Sequence, residues 1–226
     1  MSGFQLKLLA VATMLCDHLG YLFFPEFPIF RLIGRVSFPI FCFFISEGCA
    51  HSAHMGRYLR RLFCFALLSE VPYNLVVFGT PVNWRSQNTM FTLFLGAFCV
   101  WLVKYHFRAH PGFTVLAVGA LAFAAGPLRL DYGSFGVLLV IAFYLFRGSR
   151  KNAFLCFAGL NLAFSSLRLL TSASPWRVHP LEPFALAACL PLAAYNGERG
   201  RFSWKWFFYL FYPLHLLSLY GISLLI

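Results

Sequence analysis

Apolar residues fill nine blocks of this chain, near residues 4–24, 30–50, 58–78, 88–105, 112–126, 131–147, 152–170, 183–195 and 204–226, separated by short stretches where Pro, Gly, Arg or Lys collect. A hydrocarbon core about 30 Å thick takes roughly 20 helical residues to cross, and every backbone N–H and C=O within it must be bonded inside the segment. The pattern therefore predicts an all-α chain, a polytopic integral membrane bundle of about nine transmembrane helices. Blocks 112–126 and 183–195 are shorter than a bilayer; each would tilt beneath its neighbours, re-enter, or extend past these bounds. No internal repeat, low-complexity tract or linker marks a second domain, so residues 1–226 read as a single transmembrane domain.

Composition strengthens this picture. Of 226 residues, 60% are hydrophobic, 19% aromatic and only 11% charged, against roughly half apolar and a quarter charged in soluble domains. The net charge of +11 falls in short clusters between apolar blocks and forms no continuous stripe, which argues for membrane orientation and against nucleic acid. Alternate connections divide the basic residues unequally. Lys7, Arg57, Arg60, Arg61, Lys104, Arg108, Arg147, Arg150, Lys151, Arg199, Arg201 and Lys205 share one side, while Arg31, Arg35, Arg85, Arg129, Arg168 and Arg177 share the other. Because cytoplasmic loops hold the excess, the amino terminus is expected inside and the carboxyl terminus outside. The first block has a single basic residue, Lys7, and no small-residue cleavage site after it, so it reads as a retained span and not a signal peptide. The seven cysteines all lie in apolar runs without a CxxC pair and read as small buried hydrophobes, so no metal is predicted.

Candidate chemistry begins with acids inside spans. A carboxylate at the centre of a span costs on the order of 3 kcal/mol and usually faces a cavity or a partner. Asp17, Glu47 and Glu70 lie well inside the expected spans, whereas Asp131 and Glu182 sit at outer span entrances, where a solvated start favoured by the helix dipole is the alternative. On the first helix Lys7, Val11, Met14 and His18 share one stripe. Asp17 is rotated by about 100° from His18, so the two form no dyad. Asp17 is expected to meet Arg35 or Arg31, which leaves His18 free to act as a base near neutral pH; the alternative is a histidine that merely bonds a neighbouring carbonyl. In the last block Tyr209, Tyr212 and His215 share a face beside Pro213, which leaves a carbonyl without its amide partner, with packing as the alternative role. Arg57, Arg60 and Arg61 open the third span beside the positive end of its dipole, an arrangement suited to phosphate or to plain anchoring at the inner face.

Several stretches in order, LKLLAVATMLCDHLGYLFF, RLIGRVSFPIFCFFISEGCAHSAHMGRYLRRL, NTMFTLFLGA, DYGSFGVLLV, YNGERG and FFYLFYPLHLL, resemble the TraX family of membrane proteins, which is associated with acetylation of the F-pilin subunit. The resemblance covers most of the chain. It implies roles for Asp17, His18, Arg35, Glu47, Tyr58 and Arg61, and extends to Asn88, Thr92, Asp131, Tyr132, Tyr212 and His215, several of which could be structural hydrogen bonders. Gly34, Gly48, Gly96, Gly133 and Gly136 would permit close helix packing. Two departures stand out: Ser52 in place of threonine, and Glu70 where a neutral glutamine is also acceptable. FPIFCFFISEG and RYLRRL are also distantly similar to the acyltransferase 3 family of membrane O-acyltransferases.

The resemblance implies an acyltransferase of the bacterial cytoplasmic (inner) membrane that takes an acetyl group from cytoplasmic acetyl-CoA. Lys7, Arg57, Tyr58, Arg60 and Arg61 would hold the donor. The acceptor would be a pilin-like protein or a glycan or lipid-linked group, reached where His18, Arg35, Asn88, Asp131 and the connection SPWRVHPLEP converge. His18 would take the acceptor's proton, and Arg35 or Tyr212 would stabilise the oxyanion. Direct transfer is expected, since no activated serine or cysteine stands out. The rival readings are a proton-coupled transporter and an assembly scaffold without chemistry.

Overall fold

A computed structural model describes residues 1–171, 182–200 and 204–225. Among them the secondary structure is helical apart from one isolated bridge between Gln87 and Leu130. The chain order is α1 (Gly3–Leu22), α2 (Pro28–Gly34), α3 (Ser37–His51), α4 (Met55–Phe78), α5 (Thr89–His106), α6 (Pro111–Ala124), α7 (Gly133–Leu145), α8 (Arg150–Thr171), a 3₁₀ segment (Glu182–Ala188), α9 (Cys189–Ala193) and α10 (Lys205–Ser223). Among the described residues four stretches are long and apolar enough to cross a membrane: Pro28–His51, which joins α2 and α3, and helices α4, α5 and α8.

Local sequence sets these boundaries. Ser2 and Gln5 form a reciprocal capping box at the start of α1, which satisfies two amide groups that no helical carbonyl can reach. Pro28 and Pro111 open α2 and α6, where a missing N–H costs nothing. Gly79, at φ 68°, ends α4 in the left-handed conformation.

Two of the expected spans differ. The second is not one regular helix: it is interrupted at Arg35 and Val36 between α2 and α3. The eighth is a 3₁₀ segment followed by the five-residue α9. This explains its shortness, because seven 3₁₀ residues rise ~14 Å where seven α-helical residues would rise ~10 Å. The other expected helices fall within a few residues of their bounds.

The chain divides into two compact units, Met1–Phe41 with Ser149–Ile226, and Cys42–Gly148. In the first, α1 packs on α2 and α10, and α8 packs on the 3₁₀ segment, around fully buried Leu6, Ala10, Phe157 and Leu216. Three features meet at the start of α1. The amides of Gly3 and Phe4 donate to the carbonyls of Glu198 and Arg199, Asn196 donates to the carbonyl of Met1, and Arg150, at the head of α8, donates to the carbonyls of Ala193 at 3.2 Å and Tyr195 at 2.8 Å. The stretch 182–193 therefore returns the chain to the end at which α8 began.

In the second unit α5 packs against α4, α6 and α7, around buried Leu62, Val100, Val137 and Val140. The connection into α7 is tightly wound: Arg129 and Tyr132 both adopt positive φ, 57° and 61°, uncommon for residues with a Cβ. Gly133 follows at φ 45° with open space where a Cβ would stand. Its role is therefore conformational, which corrects the expectation that it permits close packing.

Candidate functional site

The polar side chains of the first unit gather where α1, α2 and α10 meet. Asp17 receives two guanidinium groups: Arg31 Nη1 lies 2.8 Å from Oδ2 and Arg35 Nη2 3.1 Å from Oδ1. The sequence suggested one of these arginines; both are engaged, because Arg31 and Arg35 are one turn apart and flank Gly34. A side chain at Gly34 would fall on the Asp17 carboxyl group, so the glycine opens the gap that the carboxylate enters. Arg35 Nε also lies 3.4 Å from the carbonyl of Arg31. Two cations face one anion in a partly buried setting, with side-chain exposures of 30% for Arg31, 14% for Arg35 and 16% for Asp17. The triad carries one positive charge in excess, which suits a developing oxyanion.

His18 stands next to this triad in sequence, and its ring meets α10. Nδ1 of His18 lies 3.0 Å from Nε2 of His215, with ring centroids 4.9 Å apart. Nδ1 of His215 donates to the carbonyl of Phe211 at 2.8 Å, and the Phe211 ring stacks on the same imidazole at 4.9 Å. Tyr212 is buried, its ring 5.8 Å from that of His215. Adjacent on α1, Asp17 and His18 each call for a partner on another helix; for His18 that partner is His215 on α10, which the sequence does not name. Lys7, on the His18 stripe, places Nζ 5.7 Å from the centre of the Phe208 ring, also on α10.

The second unit contains a separate polar node. Glu70 accepts from the backbone amide of Asn88 at 3.2 Å, from Asn88 Nδ2 at 2.5 Å and from Asn74 Nδ2 at 3.5 Å. Fully buried Asn88 also donates to the carbonyl of Ala66 at 2.8 Å and caps α5 by accepting from the amide of Met90 at 3.0 Å. Asp131 accepts from the Thr89 hydroxyl at 2.6 Å and from the amide of Tyr132 at 3.1 Å, and its carbonyl accepts from the Thr92 hydroxyl. These contacts tie α4, α5 and the start of α7 together. They give Asn88, Thr92 and Glu70 structural roles, and they give Asp131 partners in place of a bare solvated position.

Glu47 sits in the last turns of α3 and not deep within it. Its nearest ionic partner is the exposed His51, at 3.9 Å, as suits a pair one turn apart. At the head of α4, Arg57 and Arg60 are exposed, while the guanidinium of Arg61 lies 5.5 Å from the ring centre of buried Tyr58. Of the residues expected to converge, His18 and Arg35 belong to the first unit and Asn88 and Asp131 to the second. The connection SPWRVHPLEP lies almost wholly outside the described residues, as do Arg177, Arg201 and the side chains of Glu182 and Lys205.

Two members were poorly visible in the sequence. Arg31 stood only as an alternative to Arg35, although its one-turn spacing signals joint use. The Phe211 carbonyl is a backbone group that no residue type announces.

The family model described as TraX protein matches residues 2–223 of this chain. A probable fimbrial assembly protein FimC, serogroup H1, of Dichelobacter nodosus is 29% identical over 95% of this chain and 93% of its own length. An uncharacterised protein of Rickettsia prowazekii (strain Madrid E) is 26% identical over 67% of this chain and 58% of its own length. No solved structure matches.

Proposed function

The chain belongs to the TraX family, and from that premise we propose that it is a multi-pass acyltransferase of the bacterial inner membrane, transferring an acetyl group from acetyl-CoA to an acceptor amine or hydroxyl. The observation that carries this reading is the cluster on α1: an imidazole beside a carboxylate that two arginines neutralise, in a helix that is otherwise apolar. Ionisable groups inside lipid-facing bundles are costly, and they mark functional sites.

Arg57 and Arg60, exposed at the head of α4, suit the phosphates of a nucleotide-tailed donor. The unequal division of Lys and Arg among the connections supports about nine crossings with the amino terminus in the cytoplasm, where acetyl-CoA is made. His18 removes the acceptor's proton as the acceptor attacks the thioester carbonyl, and the surplus charge of Arg31 and Arg35, or the Tyr212 hydroxyl, stabilises the oxyanion. The acceptor proposed is the amino terminus of a pilin-like protein, a reading supported by the likeness to the probable fimbrial assembly protein of Dichelobacter nodosus.

The experiment is acetyl transfer from radiolabelled acetyl-CoA by the purified full-length protein. His18→Ala is expected to bind the donor and lose turnover by about 100-fold or more. Arg60→Ala with Arg61→Ala is expected to weaken donor binding. Full activity in His18→Ala ends the base assignment. The same relative's name also favours a second reading, an assembly factor that captures a pilin-like helix without chemistry; capture unaffected by His18→Ala, in a protein that transfers no acetyl group, would select it.

A further inference from the structure

Only one direction of proton donation between His18 and His215 satisfies their surroundings. The Phe211 carbonyl, 2.8 Å from Nδ1 of His215, can only accept, so that nitrogen carries a hydrogen. A neutral imidazole has one N–H, and Nε2 of His215 therefore presents a lone pair. It presents it, at 3.0 Å, to Nδ1 of His18, and two lone pairs at that distance would repel. Nδ1 of His18 is accordingly the donor. The remaining nitrogen, Nε2 of His18, holds the lone pair, on a side chain that is not fully buried.

We propose that His215 is a positioning residue that locks His18 in the Nδ1–H tautomer, so that Nε2 of His18 is the atom that accepts the proton. This deepens the acyl-transfer reading and rests on its assignment of His18 as base. The step balances as follows. The acceptor's lone pair forms a bond to the thioester carbonyl carbon while its N–H or O–H proton passes to Nε2 of His18, the electrons of that bond staying on the acceptor atom. The tetrahedral adduct then collapses, the C–S bond breaks with its pair on sulfur, and the thiolate takes the proton back from Nε2. During the interval in which His18 is cationic, its Nδ1–H still donates to Nε2 of His215, which strengthens as a charge-assisted bond. His215 itself changes neither tautomer nor charge, because its own hydrogen is committed to a backbone carbonyl. The tautomer of a histidine follows the bond made by its other nitrogen, and here the last link is a main-chain oxygen that cannot reverse the polarity.

The test is nitrogen NMR of the full-length protein in lipid nanodiscs with ¹⁵N-labelled histidine, the His18 signals being assigned by their loss in His18→Ala. The expected result is a protonated Nδ1 and an unprotonated Nε2 on His18. His215→Ala should abolish this pattern in favour of Nε2–H. His215→Gln, whose side-chain oxygen reaches the position of the lost Nε2, should retain it. In acetyl transfer His215→Ala should lower kcat by about 100-fold with the donor KM changed by less than about threefold, and His215→Gln should recover most of the loss. A wild-type His18 protonated on Nε2, or a pattern unmoved in His215→Ala, overturns the assignment. The wild-type spectrum decides it even where His215→Ala does not fold. A wild-type protein that transfers no acetyl group yet has the expected spectrum overturns the acyl-transfer reading and leaves the tautomer lock standing.

Discussion

Glu70 and Asn88 meet twice through one oxygen: Oε2 of Glu70 accepts from both the backbone amide and the side-chain Nδ2 of Asn88. What Asn88 requires is an acceptor, and a carboxamide oxygen supplies one without a charge. The other face of the site also tolerates the exchange. Asn74 Oδ1 is buried without a hydrogen-bond partner, so an amide flip of Asn74 would let it accept from the new NH₂ group. Glu70→Gln is therefore expected to change stability by less than about 1 kcal/mol, whereas Glu70→Leu strands the Asn88 donors and costs about 1–3 kcal/mol. Thermal unfolding in detergent distinguishes them; equal losses in both would show that the charge itself matters.

Asp17 holds two arginines whose surroundings differ, and the difference sets an order. Removing the carboxylate leaves two guanidinium groups facing each other in a partly buried site, so Asp17→Asn should destabilise by about 2–4 kcal/mol. Arg35→Met should cost more than Arg31→Met, since the Arg35 side chain is 14% exposed and that of Arg31 30%, and water screens the more exposed pair. Melting temperatures of the three variants check the ranking, and an Arg31→Met loss exceeding that of Arg35→Met would contradict it.

Gly34 makes room for the same carboxylate. The added methyl of Gly34→Ala would overlap the Asp17 side chain, so α1 and α2 must separate or the triad must open. A loss of about 1–3 kcal/mol is expected, together with a fall in turnover if the triad serves the oxyanion. Gly56, with no atom within 4 Å of the equivalent position, provides the control: Gly56→Ala should be neutral or slightly stabilising, since alanine favours a helix.

Arg150 bridges two carbonyls with two nitrogens of one guanidinium group. Lysine keeps the charge and loses the fork. Arg150→Lys should therefore fall between wild type and Arg150→Ala in resistance to limited proteolysis of the 194–200 stretch. Indistinguishable Lys and wild-type proteins would mean that charge alone anchors the loop.

The sequence disclosed the architecture because lipid leaves few solutions: apolar blocks of bilayer length become helices, and seven of the nine expected blocks do so close to their bounds. It failed where length misleads. Residues 183–195 looked too short for an α-helix, and nothing in FALAACLPLA announces a 3₁₀ path. In the site, a pairing of Asp17 with Arg35 or Arg31 was legible, since an isolated carboxylate in an apolar helix demands a cation; that both arginines engage it was not. The pairing of His18 with His215 was not. Periodicity reports which face a side chain occupies and is silent about which helix lies opposite. The Glu70, Asn88 and Asp131 contacts were hidden for another reason: they cap helix ends and brace a turn at positive φ, features that depend on backbone conformation more than on residue pattern.

His18 and His215 are 197 positions apart, and the amides that open α1 are received by carbonyls near residue 198. Domains generally order from the amino terminus during synthesis, so α1 is made long before the carbonyls that receive its first amides or its imidazole mate have been translated. The contact between the two imidazoles is thus a late one, denied to any nascent chain until α10 has been made and has come to rest beside α1.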